Sequence, residues 1–200
     1  MGHRRHLLDH EAWNGMLASI SKTGQRGFTL VELLVGLAVL GILMASAIPS
    51  YRVWIQNVQI RNAAESIQNG LQRARSEAIK RNQNVEFVLG GVAYGTTGWS
   101  VHLPGVIGPT GILDSRLNGE GSKNVIISGV SPGGTTTVTF DNTGRPIGNL
   151  DASLTLKEID LDSSVLSATE SQDLHVTINA FGRILMCDPH ATIGKPTACN

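Results

Sequence analysis

Glu32 stands out by its surroundings. It is the only charged residue between Phe28 and Ile48, in a run whose other polar side chains are Thr29 and Ser46. Taken as a helix, that run reaches about 31 Å, close to the roughly 30 Å hydrocarbon core of a bilayer. A carboxylate in hydrocarbon costs on the order of 2.5–3.5 kcal/mol. A positive charge beside it would offset that cost, so the implied chemistry is charge neutralisation rather than bond making. The blander reading is a tolerated charge that snorkels to the membrane interface.

The remaining reactive residue types form no convincing constellation. Gly129-Val130-Ser131-Pro132-Gly133 matches the G-x-S-x-G nucleophile pattern. That motif needs a strand, a sharp turn and then a helix, whereas β-type sequence follows here, so a Pro-Gly hairpin turn is expected. His3, His6 and His10 lie near the start, His102 and His175 on candidate strands, and His190 between the cysteines. None has metal-ligand spacing with an acid or Cys, and each reads as a solvent-facing histidine. No phosphate-cradling Gly-rich run follows a strand, so no catalytic residue, metal or cofactor is expected. Cys187 and Cys199 read as a disulfide if the domain lies outside the membrane, the alternative being two free thiols. Arg183, His190 and Lys195 cluster around them and offer a small phosphate-binding term, against which stands a plain surface tail.

These residues need elements to hold them. Sixteen bases balance sixteen acids overall, but residues 85–200 carry eleven acids against six bases, which argues against a broad nucleic-acid surface. Few aromatics, few charges and 23 glycines suit one apolar helix joined to a turn-rich β domain. After Pro49 a helical period continues. Ile60, Ala64, Ile67, Leu71, Ala74 and Ala78 share one narrow apolar face, and Arg73, Glu77, Lys80 and Arg81 lie off it. Arg73–Glu77 and Glu77–Arg81 are i,i+4 pairs. The economical reading is one helix from Phe28 to Asn82, kinked at Pro49, whose ring removes a backbone donor. Strands are predicted at 85–89, 99–103, 125–128, 135–140, 153–159, 174–179 and 183–186, with residues 104–123 as a long surface loop.

An ordinary signal peptide could end at Ala45-Ser46-Ala47, but the apolar run exceeds the usual length of about 7–15 residues and contains Glu32. A plain anchor would leave Gly27 and Glu32 unexplained. Gln25-Arg26-Gly27-Phe28-Thr29-Leu30-Val31-Glu32-Leu33-Leu34 resembles the class III leader junction of type IV pilins and pseudopilins. Residues 71–81, Gly98-Trp99, Phe140-Asp141-Asn142-Thr143-Gly144-Arg145 and Ala180-Phe181-Gly182-Arg183 resemble the GspH/FimT branch of that superfamily.

The resemblance implies an α+β, pilin-like fold in which a long N-terminal helix, half membrane-embedded and half amphipathic, packs on a C-terminal antiparallel β domain. Its divisions are a prepilin leader at 1–27, a transmembrane and filament-core helix at 28–48, an amphipathic helix at 49–84 and a globular β domain with a C-terminal disulfide loop at 85–200. The leader is long for the class, and Met16 is an in-frame alternative start. Cleavage by a prepilin peptidase between Gly27 and Phe28 and N-methylation of Phe28 are implied. The new amine and Glu32 of neighbouring subunits would then neutralise each other. Implied partners are the membrane, other major and minor pilins and the inner-membrane assembly platform. The chain would wait in the bacterial inner membrane, its C-terminal domain periplasmic, before entering a pilus or pseudopilus. The Cys187, Cys199 pair resembles pilus subunits of this branch more than secretion pseudopilins. A DNA-binding role is the alternative, with Arg183 and Lys195 as possible contacts. Related DNA-binding members have a second Arg two residues after the Gly-Arg, where this chain has Leu185, so nucleic acid is not the favoured partner.

Overall fold

The computed structural model describes residues 27–90, 97–106, 109–192 and 194–199. Residues 1–26 of the expected leader lie outside this set. The molecule divides into two units, residues 1–45 and 46–200. Helix α1, Leu30–Arg81, contributes to both and stays helical through Pro49.

In the first unit α1 is exposed on every side, and it is the one helix among the described residues long and apolar enough to cross a membrane. The C-terminal end of α1 stops where expected. Asn82 adopts φ 53°, and a Schellman pair closes the last turn: Gln83 N–H donates to the Ala78 carbonyl (3.2 Å) and Asn82 N–H to the Ile79 carbonyl (3.3 Å).

The second unit holds two antiparallel sheets. One runs β3 (Ile112–Arg116), β2 (Trp99–His102), β1 (Val85–Leu89), β5 (Thr137–Phe140), β6 (Pro146–Ile147). The other runs β4 (Val125–Ser131), β7 (Glu158–Ser163), β8 (Leu174–Ile178), β9 (Ile184–Cys187). In β1, β7 and β8 buried and half-buried residues alternate, because successive side chains leave a strand on opposite faces. The inner faces of both sheets and the helix share one core. Ile60, Ile67 and Leu71 meet Phe87, Val101 and Phe140 of the first sheet and Ile159, Leu161 and Val176 of the second within it. Gly70 makes room in α1 for the stacked Phe87–Trp99 pair, since a Cβ there would come within 2.9 Å of both rings. The Trp99 indole N–H donates to Ser66 Oγ at 2.9 Å, which satisfies a polar atom inside the core.

Several expectations are corrected. The buried face of α1 is wider than a narrow stripe and includes Ala63, Ser66, Gly70 and Glu77. Glu77, expected off the face, is 3% exposed and lies within ion-pair distance of Arg73, Lys80 and Arg81. Both expected i,i+4 pairs form, at 3.5 and 2.7 Å. The loop expected at 104–123 contains β3, a polar edge strand that pairs with β2 through an irregularity at Val101/His102. The strand expected at 153–159 begins only at Glu158 and continues to Ser163. Its first residues cross between sheets instead: Leu156 N–H bonds the Thr137 carbonyl of β5, and Lys157 N–H bonds the Ser131 carbonyl of β4. The expected hairpin at Pro132-Gly133 joins the two sheets rather than two paired strands, because β4 pairs with β7 and β5 with β1 and β6. Ser131 closes a strand that no helix follows, so it lacks the setting of a nucleophile.

Candidate functional site

The N-terminal site is built on the first turn of α1. Gly27 and Phe28 precede the helix as exposed residues. Thr29 caps it. The Thr29 hydroxyl accepts the Glu32 N–H (3.2 Å), and the Thr29 N–H and hydroxyl both donate to Glu32 Oε2 (3.0 Å each). The Thr29 carbonyl accepts the Leu33 N–H. This is a capping box: two backbone donors that a helix start leaves unpaired are satisfied reciprocally. Glu32 is therefore held by its own chain as well as being the lone charge of the apolar run. The T-x-x-E spacing of Thr29 and Glu32 is the sequence signature of this box.

Two of the motifs that carry the family resemblance prove to be the same turn. In Asp141-Asn142-Thr143-Gly144-Arg145, Asp141 Oδ1 accepts from Thr143 N–H (2.8 Å), Thr143 Oγ1 (2.7 Å) and Arg145 N–H (3.0 Å). In Asn179-Ala180-Phe181-Gly182-Arg183, Asn179 Oδ1 accepts from Phe181 and Arg183 N–H at 3.0 and 2.9 Å. Gly144 and Gly182 sit at φ +79° and +76°, where a side chain is strained. The turns pack together so closely that a Cβ on Gly182 would overlap the Gly144 carbonyl oxygen. Arg75 Nε of α1 donates to that same carbonyl at 3.1 Å. Hydrogen bonds from Arg145 and Thr143 hold the Asp141 carboxyl below its ordinary range. The motifs thus join helix, first sheet and second sheet at one end of the domain.

Cys187 and Cys199 form a disulfide, with a Cα–Cα distance of 5.0 Å and a sequence separation of 12. Arg183 and Lys195 are exposed, and neither side chain joins an ion pair among the described residues. Of the described histidines His190 faces solvent as expected, whereas His102 and His175 are partly buried. His102 Nδ1 lies 3.8 Å from Glu86, His190 Nε2 lies 2.9 Å from Asp173, and His175 sits between Glu158 and Asp160. Linear spacing could not reveal that last grouping, because strand pairing across β7 and β8 creates it.

The family model described as Type II transport protein GspH matches residues 63–182, and that of the prokaryotic N-terminal methylation motif matches residues 22–48. The fimbrial protein EcpC of Eikenella corrodens is 30% identical over 143 residues, which cover 72% of this chain and 80% of that protein. A fimbrial protein of Pseudomonas aeruginosa is 36% identical over 61 residues, covering 30% of this chain and 39% of the relative. A crystal structure of the type IV minor pilin FimU of Pseudomonas aeruginosa (strain PAO1) aligns at 16% identity with a TM-score of 0.49, over 66% of this chain and 91% of that one.

Proposed function

The chain belongs to the GspH family, and from that premise we propose that it is a minor pilin or pseudopilin. It is a subunit of a type IV pilus or type II secretion filament that acts in assembly, in the tip or priming complex. The apolar start of α1 anchors it in a membrane with the C-terminal domain outside. In this reading the membrane is the bacterial inner membrane and the domain is periplasmic. A prepilin peptidase cuts between Gly27 and Phe28, Phe28 is N-methylated, and residues 28–48 become filament core. The assembly platform then docks the chain onto other pilins. Pro49 is the joint that lets the two halves of α1 adjust. The Cys187–Cys199 bridge ties down the C-terminal tail.

The observation that carries this reading is Glu32, a single carboxylate at the first turn of α1, in a stretch that carries no other charge as far as Ile48 and is exposed all round. Its charge would pair with the Phe28 amine of a neighbouring subunit and set register in a medium of low dielectric. The capping box supplies the test. Glu32→Gln keeps an acceptor for the Thr29 N–H but removes the charge, whereas Glu32→Ala removes both. Filament incorporation, measured in sheared filaments, should fall for both variants while membrane insertion persists. Undiminished incorporation of the Gln variant would refute a charge-guided docking step.

A DNA-binding minor pilin is the second reading. Arg183 and Lys195 are exposed, but the surrounding domain is net acidic and the relatives lend this reading no support.

A further inference from the structure

We propose that Asp160 and His175, oriented by Glu158, bind a divalent first-row transition cation of the zinc class on the outer face of the second sheet. Glu158 and Asp160 are two residues apart on β7 and so leave it on one face, opposite the buried Ile159 and Leu161. His175 lies directly across from Asp160 in the β7–β8 register. One donor atom from each of the three residues lies within 4.8 Å of the other two.

The hydrogen-bond inventory of the ring points to a cation. His175 Nδ1 lies 2.9 Å from Glu158 Oε1, a good donor distance, and Nε2 lies 3.4 Å from Asp160 Oδ1. A neutral imidazole has one N–H. If Nδ1–H serves Glu158, the Nε2 lone pair faces Asp160 Oδ1. That oxygen is buried and has no hydrogen-bond partner among the described residues. A cation between Nε2 and Oδ1 would satisfy both lone pairs. The spacing suits it: zinc bonds of about 2.0–2.2 Å at a tetrahedral angle place two ligand atoms roughly 3.4 Å apart. Glu158 then plays the outer-shell part that fixes the tautomer of a metal-bound histidine. Two carboxylates balance the charge of a divalent ion, and no Lys or Arg forms an ion pair with either among the described residues. Gly129, opposite Asp160 on β4, completes the cradle, because a Cβ there would run into Asp160 Oδ2. The imidazole donor favours zinc-class ions over calcium or magnesium, which prefer all-oxygen sites.

The test is calorimetric titration of zinc into the full chain in detergent micelles after treatment with a chelator, with calcium titrated in parallel. One site per chain should be lost or weakened about tenfold or more in His175→Ala and Asp160→Asn, and weakened about tenfold in Glu158→Ala. His102→Ala and His190→Ala should retain it. Gly129→Ala changes no ligand residue yet should weaken binding about tenfold by displacing the Asp160 carboxylate. Zinc should also raise the thermal midpoint of the wild type, a readout that does not depend on any variant folding. Identical zinc isotherms for the wild type, His175→Ala and Asp160→Asn would place binding elsewhere, for instance at His3, His6 and His10, and overturn the proposal. So would absence of zinc binding, or calcium binding as tight as zinc.

Discussion

Gly182→Ala should be among the most damaging single-methyl additions in the domain. Two costs combine. At φ +76° an L side chain pushes its Cβ against the following carbonyl, at about 1–2 kcal/mol. The new Cβ would also lie inside the approach of 3.0 Å that real Cβ atoms keep, and the atom it meets is the Gly144 carbonyl oxygen, which is backbone. That carbonyl is in a turn already pinned by Asp141 and Arg75, so relief requires moving a hairpin, at about 1–3 kcal/mol. The combined loss is about 2–5 kcal/mol, and a central value near 3 kcal/mol lowers the thermal midpoint of a domain this size by roughly 6–12 °C. Two controls rank the causes. Gly144→Ala has a similar positive φ (+79°), but its Cβ would meet side-chain atoms rather than backbone, Arg75 Nε and Ile79 Cδ1 at 2.9 Å; shifting Arg75 weakens its hydrogen bond to the Gly144 carbonyl, so about 1–3 kcal/mol is expected, below the cost at Gly182. Gly148→Ala meets nothing within 4 Å and should stay within about 0.5 kcal/mol of the parent. Thermal melts followed by circular dichroism give the ranking. Gly182→Ala melting with Gly148→Ala, or above Gly144→Ala, would refute the backbone-clash argument.

Glu77 is held below the ordinary glutamate value of 4.5, first by the Arg81 hydrogen bond and then by the charges of Lys80, Arg73 and Arg81, against an opposing effect of burial. Its contribution to stability is therefore present above about pH 4.5 and lost as pH falls through the lowered folded value. Glu77→Gln should cost about 1 kcal/mol near neutrality, a modest figure because its partners are exposed, and should flatten the acid limb of a denaturation-versus-pH curve. An unchanged acid limb would show that the pairing does not stabilise the fold. Replacing Cys187 and Cys199 together by Ala should cost about 3 kcal/mol in the chain-entropy account of a short closed loop, read as a lower midpoint in guanidinium. Mass spectrometry of the mature chain should find N-methylated Phe28 at its start; a first residue of Ile48 would mean signal-peptidase cleavage and removal of the anchor. Duplex DNA should bind weakly with a salt slope of roughly −2 at most, since Arg183 and Lys195 can each neutralise one phosphate. Sub-micromolar binding at physiological salt, lost on Arg183→Ala, would instead promote the DNA-binding reading.

The legible features were those whose cause lies within a few residues along the chain. An unbroken apolar run with one acid, a helical period after Pro49 and an Asn-rich stop together define α1 nearly to its ends, because helix bonds connect residues four apart. The strands β1, β2 and β8 were equally readable, since alternation and turn residues are local signals. Tertiary structure decided what depended on a partner distant in the chain. Glu77 looks like a surface residue by its charge, and becomes buried because two sheets cover a wider face of the helix than its apolar stripe. The polar strand β3 exists because the edge of β2 offers it unpaired backbone groups. The acids of β7 read as the end of a strand, yet Ile159 and Leu161 carry it onward between β4 and β8. That same pairing sets His175 against Asp160, and the meeting of two similar turns sets Gly182 against Gly144. Register, bulges and sheet order determine these neighbours, and a strand's own pattern says which face a residue takes but not which residue will stand across from it.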